Sequence, residues 1–411
     1  MEVRDVKSAG TRGEMAALAG CVFANVVDGF DVLAIAFSGS AIIADWGISD
    51  AALGAIFSAG LAGMMLGSLF ISPFADRYGR RTVALSCMAV MTIGMFAAGL
   101  SNSPTQLIIA RLFTGLGIGG VLATLNTVVG EVSRPRRRNT VMAVFSAGYP
   151  VGSIMGGVLA IGLIADYGWR VVFLAGGVLT AAVLIVNIFT LPESSQPSGR
   201  SMLFSRAFFA KLFGAGRRGS TIGFCLAFFL QMLTFFFVLN WTPRLVEQRG
   251  FSAEIGNSVT VVLNVGSLLG PLIFGALADK LGLFRIGKFY FLLFAASVVM
   301  LGVVPANLTS LYAVAIVAGL AMAGAMTSLY AAAPVLFPGQ VRAAGTGLAI
   351  GIGRLGATIG PSLAGWAIAS GVGLVPLHLG FAVPLLLVFF ILMSGLISAN
   401  AGAVDANGEL Q

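Results

Sequence analysis

The chain alternates between long apolar runs and short polar segments. A helix needs about 20 mainly apolar residues to cross the hydrocarbon core of a bilayer. About twelve runs reach this length, so the pattern predicts about twelve transmembrane helices. The predicted spans are 15–43, 52–75, 82–101, 104–130, 140–165, 169–191, 220–242, 253–278, 287–305, 308–333, 343–371 and 374–399.

A polar stretch near the middle of the chain divides these runs into two sets. Residues 192–219 are rich in serine and basic residues, which is typical of a linker, and they separate halves at 1–191 and 220–411. An internal repeat supports the division, because the segment around Asp279 repeats the segment around Asp76 at an offset of 279 − 76 = 203 residues. The pattern therefore predicts an all-α membrane protein with two pseudo-symmetric six-helix halves, as in carriers that work by alternating access.

Composition and charge exclude a soluble globule and indicate an orientation. Hydrophobic residues make up 58% of the chain and charged residues only 10%. The net charge of +8 does not indicate nucleic acid as a partner, because the basic residues lie in short segments between apolar runs. Loops after odd-numbered spans contain only Arg170, Arg244 and Arg249 as basic residues. The positive-inside rule therefore predicts that both termini lie in the cytoplasm. The expected location is the plasma (inner) membrane.

Two acidic residues, Asp28 and Asp31, lie inside the first apolar run. A charged Asp at the centre of a membrane helix costs about 2.5–3.5 kcal/mol on insertion scales, so such residues usually face a partner or a water-filled cavity. Their i,i+3 spacing places both carboxylates on one helix face, where each opposes ionisation of the other. This pair predicts proton coupling. In the alternative, a neighbouring helix satisfies one carboxylate and the other lies at the membrane edge.

Two arginines, Arg111 and Arg354, are the basic residues that lie well inside the predicted spans. At about 1.5 Å per residue, Arg111 lies roughly 10 Å below the outer end of its span, near the expected depth of Asp31, so an ion pair is expected. Arg354 lies roughly 16 Å deep, near the midplane. We therefore expect Arg354 to receive an anionic substrate, with a main-chain carbonyl contact or packing as the alternative.

Several motifs carry a resemblance to a known family. The segment Asp76-Arg77-Tyr78-Gly79-Arg80-Arg81 resembles the loop 2–3 signature of the major facilitator superfamily, although Ser72 replaces the glycine that usually starts it. Within that superfamily, the chain resembles the aromatic acid:proton symporter family over most of its length. The motifs involved are Asp28-Gly-Phe-Asp31, Arg111 to Gly120, Glu131 with Pro135 and Arg138, Arg342 to Gly345, and Gly353 to Pro361.

The resemblance implies the major facilitator fold and a cytoplasmic gate of charged residues. Carboxylates and guanidiniums at helix ends can bind neighbouring helix ends and separate when the halves move. Glu131 is expected within reach of Arg77 or Arg81, or else as a solvated charge at a helix end. The implied gate residues are Asp76, Arg77, Arg80, Arg81, Glu131, Arg138, Asp279 and Arg342.

Rings and amides near polar or glycine-rich positions are candidates for contact with an aromatic substrate. A ring can stack on the substrate and an amide can bond a ring hydroxyl, while packing inside the protein is the alternative for each. Together with Arg354 and Arg111, the candidates are Phe30, Tyr149, Gln231, Asn240, Trp241 and Tyr330. No metal or cofactor is expected, since the sequence has neither a metal-ligand cluster nor a P-loop.

The expected function is therefore transport and not catalysis: proton-coupled uptake of a small aromatic carboxylate, of the hydroxybenzoate or phenylpropionate type. The expected partners are this acid, protons and the bilayer, without nucleic acid, and a monomer suffices for the mechanism. Two alternatives stay open. The segment Gly148–Gly157 resembles the glycine-rich fifth span of exchangers, which suits an antiporter of drugs or organic anions. A transporter-like receptor would bind solute without moving it.

Overall fold

The computed structural model describes residues 11–133, 138–192, 218–305, 307–337 and 342–395. Within these residues lie twelve long helices, in the order that the apolar runs predict. The predicted linker, 192–219, falls between the sixth and seventh of them and lies almost wholly outside the described residues. The helices are α1 (Thr11–Trp46), α2 (Asp50–Leu66), α3 (Arg80–Gly99), α4 (Pro104–Val132), α5 (Arg138–Tyr167), α6 (Arg170–Thr190), α7 (Arg218–Glu247), α8 (Ala253–Leu281), α9 (Leu283–Val303), α10 (Leu308–Leu336), α11 (Arg342–Ala369) and α12 (Leu374–Met393).

Eleven of the described helices are long and apolar enough to cross a membrane. The remaining helix, α11, has 28 residues but is not among them. Its sequence is rich in glycine and contains Arg354, and both features lower its hydropathy. Several helices also extend beyond their predicted spans. For example, α1 ends at Trp46 and not at 43. Backbone hydrogen bonding continues into the polar ends of a helix, where an apolar run gives no signal.

Polar caps fix the starts of two corresponding helices. At α4, the Ser103 side chain accepts the main-chain N–H of Gln106, and Pro104 occupies the first turn. At α10, Asn307 accepts the N–H of Ser310 at 2.9 Å. Such caps satisfy N–H groups that have no partner inside the helix. The two cap positions are 307 − 103 = 204 residues apart, which matches the internal repeat.

The repeated turn before α3 and α9 requires glycine. Gly79 has a φ of 90° and Gly282 a φ of 91°, a conformation that side chains with a Cβ rarely adopt. Each of these glycines ends one helical segment and begins the next. The offset of 282 − 79 = 203 residues shows that the repeat seen in the sequence is also a repeat of backbone geometry.

The chain divides into two compact units: Met1–Ile48 with Ala59–Arg200, and Ser49–Ser58 with Ser201–Gln411. Helix α2 therefore contributes to both. In the first unit α1 packs on α5, and α3 packs on α4 and α6. In the second unit α7 packs on α11, and α9 packs on α10 and α12. The pairings correspond when six is added to each helix number, so both units use one scheme.

Glycines allow the closest of these helix contacts. A methyl group on Gly29 of α1 would overlap the main-chain oxygen of Tyr149 in α5, and one on Gly152 would overlap that of Val26. In the second unit, Gly356 of α11 meets the main-chain oxygen of Phe229 in α7 in the same way. Small residues let helix backbones approach closely in lipid. Close packing therefore accounts for the glycines of the fifth span, the segment whose sequence also resembles that of exchangers.

Candidate functional site

Asp31 and Arg111 form a buried ion pair in the first unit. Nη1 of Arg111 on α4 donates to Oδ1 of Asp31 on α1, and Nη2 donates to the main-chain oxygen of Asp31 at 3.2 Å. The two side chains are 3% and 0% exposed, so both charges are removed from solvent. The ion pair predicted from helix depth is confirmed.

Polar atoms at this pair are incompletely satisfied. Oδ2 of Asp31 and Nε of Arg111 are both buried without a hydrogen-bond partner among the described residues. The desolvation of a buried ion pair is repaid only when geometry is good and the remaining hydrogen-bonding groups are satisfied. An incomplete pair inside a membrane span adds little stability, and such residues usually serve function.

Three residues that the sequence analysis did not identify surround the guanidinium of Arg111. Sδ of Met95 lies 3.9 Å from Nη1, and the ring centre of Phe173 lies 5.9 Å from the guanidinium carbon. A methyl group on Gly60 would lie 3.3 Å from Nη2, so this glycine leaves room for the guanidinium. Apolar residues and glycines in a membrane helix have the spacing of ordinary packing, so no sequence signal marks this role.

Asp28 lies one turn before Asp31 on α1, and its side chain is 1% exposed. Contact with α5 holds this part of α1 firmly, because Oγ of Ser153 donates to the main-chain oxygen of Gly29 at 3.1 Å. Both carboxylates are therefore in the protein interior.

Arg354 and Tyr330 lie within electrostatic range of each other in the second unit. Arg354 lies on α11 and is half-buried, and its charge acts on the hydroxyl of Tyr330 on α10. The ring of Tyr330 packs edge-on against Phe228 of α7, with 5.5 Å between centroids. Phe224 continues this aromatic row at 5.1 Å from Phe228. A guanidinium beside aromatic rings can receive a carboxylate and the ring that carries it.

Most of the other candidate contact residues are engaged in packing. The Trp241 side chain is completely buried, and its indole N–H donates to the main-chain oxygen of Pro361 at 3.1 Å. Asn240 donates to Phe236 in its own helix at 2.8 Å. Phe30 is buried against Gly156 and Gly176. These three positions favour the packing alternative.

Gln231 and Tyr149 combine packing with polar capacity. The amide of Gln231 donates to the main-chain oxygen of Met322 at 3.2 Å, while its Oε1 is buried without a hydrogen-bond partner among the described residues. Tyr149 is half-buried, and its backbone lies against Gly29.

Glu131 forms its ion pair with a different arginine from those that the sequence motif predicts. Glu131, at the end of α4, pairs with Arg80 and not with Arg77 or Arg81. Arg80 is the first residue of α3, which packs along α4, whereas Arg81 points to α6 and donates to the main-chain oxygen of Ile188 at 2.6 Å. Arg77 is exposed over the Tyr78 ring.

The remaining gate candidates do not form a described cluster. Asp279 is exposed at the end of α8. The side chains of Asp76, Arg138 and Arg342 lie outside the described part of the chain. Gly275, which matches Ser72 in the repeat, has open space around it, so close packing does not require glycine at that point.

These features define a class of protein. Repeated six-helix units, with apolar helices and buried charges in their interior, are the architecture of a secondary membrane transporter. Among the described residues, no group of three or more His, Cys, Asp or Glu side chains is placed to hold a metal ion.

Comparison with known proteins identifies the family. The Major Facilitator Superfamily profile matches residues 21–306 and 224–408. A gallate transporter of Pseudomonas putida is 32% identical, over 95% of this chain and 90% of its own length. A 3-(3-hydroxy-phenyl)propionate transporter of Escherichia coli (strain K12) is also 32% identical, over 91% and 93% of the two chains. The crystal structure of a bacterial homolog to the human lysosomal transporter Spinster has a TM-score of 0.75 at 18% identity, covering 93% of this chain and 96% of the other.

The chain belongs to the major facilitator superfamily, and within it to the aromatic acid:proton symporter family. It is an integral membrane protein. The resemblance carried by the sequence motifs is thereby confirmed.

Proposed function

We propose that the protein takes up a small aromatic carboxylate together with protons, by alternating access between halves at 1–191 and 220–411. It would do so in the inner membrane, with both termini in the cytoplasm. Relatives named as transporters of gallate, 3-(3-hydroxy-phenyl)propionate, 4-hydroxybenzoate, gentisate and benzoate support the substrate class.

The observation that carries proton coupling is the buried ion pair of Asp31 and Arg111. Protonation of Asp31 removes the charge that holds the guanidinium, so proton binding changes the contact between α1 and α4. Asp28, buried one turn away, opposes ionisation of both carboxylates at once. Protons taken up at these carboxylates on the outside would be released after the carrier opens to the cytoplasm, with Arg111 competing for Asp31.

Arg354 is the proposed contact for the substrate carboxylate. Its guanidinium can bind a carboxylate through two parallel N–H donors. Tyr330, which is within electrostatic range of Arg354, and Phe228, which packs against Tyr330, offer aromatic surface in the same unit. The first unit would then handle the protons, while the second unit supplies the anion contact.

Energetics require a cation to accompany the substrate. A carboxylate that moves inward against a negative-inside potential is opposed by roughly 2.3 kcal/mol per charge per 100 mV, which is more than a tenfold loss of accumulation. Co-transport of at least one proton removes this opposition. Two buried carboxylates in one helix can carry protons, whereas sodium binding calls for a cage of several oxygen ligands.

Uptake by proteoliposomes tests the proposal. A pH gradient and a sodium gradient are imposed separately, while an ionophore holds the membrane potential at zero, and accumulation of labelled gallate or 4-hydroxybenzoate is measured. We expect accumulation with the pH gradient alone. Accumulation driven by sodium alone, or substrate efflux driven by inward proton flow, would overturn symport, and binding without accumulation would indicate a receptor.

A further inference from the structure

A second carboxylate-binding cluster lies in the first unit, where α1 ends and α6 begins. It consists of Asp45, Trp46, Trp169 and Arg170, and we call it the indole cluster. Oδ2 of Asp45 accepts two hydrogen bonds, from Nη1 of Arg170 at 2.7 Å and from the indole N–H of Trp169 at 3.1 Å. The two indole rings meet edge to face, with 5.1 Å between centroids.

Both charges of this cluster oppose the dipoles of their own helices. Asp45 is the second-last residue of α1, at the negative end of that helix, and Arg170 is the first residue of α6, at the positive end. Each charge is unfavourable at such an end unless another group compensates it. The stability of the two helices therefore does not explain why Asp45 and Arg170 occupy these ends. The bond between the carboxylate and the guanidinium does explain it.

The cluster is open to solvent while its aromatic walls are fixed. The side chains of Arg170 and Asp45 are 36% and 41% exposed. The guanidinium carbon lies 4.5 Å from the Trp169 ring centre and 5.6 Å from that of Trp46, and Nη2 also reaches the main-chain oxygen of Ser101 at 3.4 Å. Trp169 itself is buried, and Phe173 packs edge-on against it at 5.7 Å.

We propose that the indole cluster is a first-contact site for aromatic carboxylates, in which the substrate displaces Asp45. Asp45 shows which ligand the site accepts: one carboxylate, bound by a guanidinium and an indole N–H. An incoming acid would make the same bonds with its carboxylate and add contact between its ring and Trp46. This inference rests on the proposed function, because it takes its substrate class from there.

The cluster lies at the end of the first unit opposite to the Arg80–Glu131 pair, since Arg170 contacts Ser101, just before α4 begins, whereas Glu131 lies where α4 ends. That is the end predicted to face outward by the distribution of basic residues. Occupation of the site would raise the local concentration of substrate without taking part in proton coupling. Its loss should therefore change KM and leave kcat unchanged.

The test compares the two partners of the ion pair. Arg170→Gln should raise the KM for gallate or 4-hydroxybenzoate uptake by about two- to fivefold, which is what a half-exposed ion pair is worth. Asp45→Asn should lower KM by a similar factor, because it removes the competing carboxylate. Opposite shifts support the site. A purely structural tether predicts that both variants change in the same direction, and either this result or two unchanged KM values would overturn the proposal.

A binding measurement keeps the test decisive if these variants fold poorly. Gentisate should quench the tryptophan fluorescence of the purified Arg354→Ala chain, because the indole cluster does not depend on Arg354. Trp46→Phe in that background should reduce the quenched amplitude, and cyclohexanecarboxylate should displace gentisate only weakly. Absence of quenching, or quenching unchanged by Trp46→Phe, would overturn the site. Failure of the proposed function would instead appear as no uptake of any aromatic acid by the unmodified chain.

Discussion

The two units use one packing scheme but place different chemistry at corresponding positions. Asp28 and Asp31 of α1 correspond to Gln231 and Thr234 of α7, at 231 − 28 = 203 and 234 − 31 = 203 residues. Asp31 forms an ion pair with Arg111, whereas the Thr234 hydroxyl donates to the main-chain oxygen of Phe381 at 2.8 Å. One interior can therefore change charge on protonation, and the other is joined by neutral hydrogen bonds.

In the helices that pack on α1 and α7, the charged residue belongs to the second unit and the neutral one to the first. Arg354 of α11 corresponds to Pro150 of α5, since 354 − 150 = 204. The second unit thus has a cation where the first has none. The comparison shows that duplication preserves the contacts between helices, while single side chains assign a separate task to each copy. The predictions below test this division, beginning with the largest expected effect.

Asp28→Asn and Asp31→Asn should each abolish accumulation driven by a pH gradient, since neither amide can carry a proton in this range. The matched variant Thr234→Val lies at the corresponding position of the second unit. It should lose about 1 kcal/mol of stability through one hydrogen bond and keep its proton dependence. Uptake by proteoliposomes under an inward proton gradient measures both. Normal accumulation by both Asn variants would make the acidic pair structural.

Folding must be separated from coupling at Asp31. Asp31→Asn leaves Arg111 buried without its partner charge, which costs about 3–5 kcal/mol in comparable sites. The double variant Asp31→Asn, Arg111→Gln removes both charges and should recover much of the lost thermal stability while accumulation stays absent. If the double variant regained proton-driven accumulation, the carboxylate would not be the proton carrier.

Arg354→Ala should weaken binding of an aromatic acid by about 2–3 kcal/mol, as expected for hydrogen bonds to a charged group. Arg354→Lys should give a smaller loss, because lysine keeps the charge but lacks the planar fork. Ligand-induced thermal shifts of the purified variants provide the measurement, since a ligand that binds the folded form stabilises it. Arg285→Ala, an exposed arginine of the same unit, serves as control. Unchanged affinity in a folded Arg354→Ala chain would contradict the assignment.

Packing variants should affect both units alike, in contrast to the charge variants. Gly29→Ala and Gly356→Ala each place a methyl group against a main-chain oxygen of the facing helix. Overpacking of this kind costs about 1–3 kcal/mol. Gly347→Ala, where nothing lies within 4 Å, should be neutral or slightly stabilising. Thermal unfolding in detergent would measure all three. A large loss in only one of the two buried variants would argue against equivalent packing.

The smallest effect is expected at the Arg80–Glu131 pair, where the Glu131 side chain is 55% exposed. A double-mutant cycle with Arg80→Gln and Glu131→Gln should give a coupling energy of about 0.2–1 kcal/mol. Substrate binding should stay unchanged while the rate of uptake alters, since the pair would act on the conformational step. A change in binding affinity without a change in rate would place the pair in the substrate site instead.

Sequence reasoning predicted contacts where one geometric variable decides them. The depth of Arg111 along its helix was sufficient to predict its pairing with Asp31, because both residues lie on helices of known rise. Rotation about the helix axis is a second variable, and there the predictions were weaker. The motif predicts Arg77 or Arg81 as the partner of Glu131, yet Arg80 is its partner, because adjacent residues such as Arg80 and Arg81 point about 100° apart around a helix.

The sequence does not reveal the roles of residues whose types are common at every helix interface of this protein. Met95, Phe173 and Gly60 surround Arg111, but each could belong to any helix interface of this protein. Trp241 shows the opposite case. The sequence marks it as a candidate substrate contact, but in the structure it is completely buried in helix packing. Aromatic side chains serve both packing and recognition, so residue type does not separate these roles.

The sequence by itself determined the class of protein, its helices, its internal repeat and its family. Apolar length and charge are properties of consecutive residues, and the bilayer acts on them directly because it demands satisfied backbones and long apolar spans. The tertiary structure decided which side chains meet: Asp31 with Arg111, and Asp45 with Arg170 and Trp169. Such meetings depend on the rotation and separation of helices that lie far apart in the chain. Packing sets these quantities, and it follows from the summed contacts of many side chains at once.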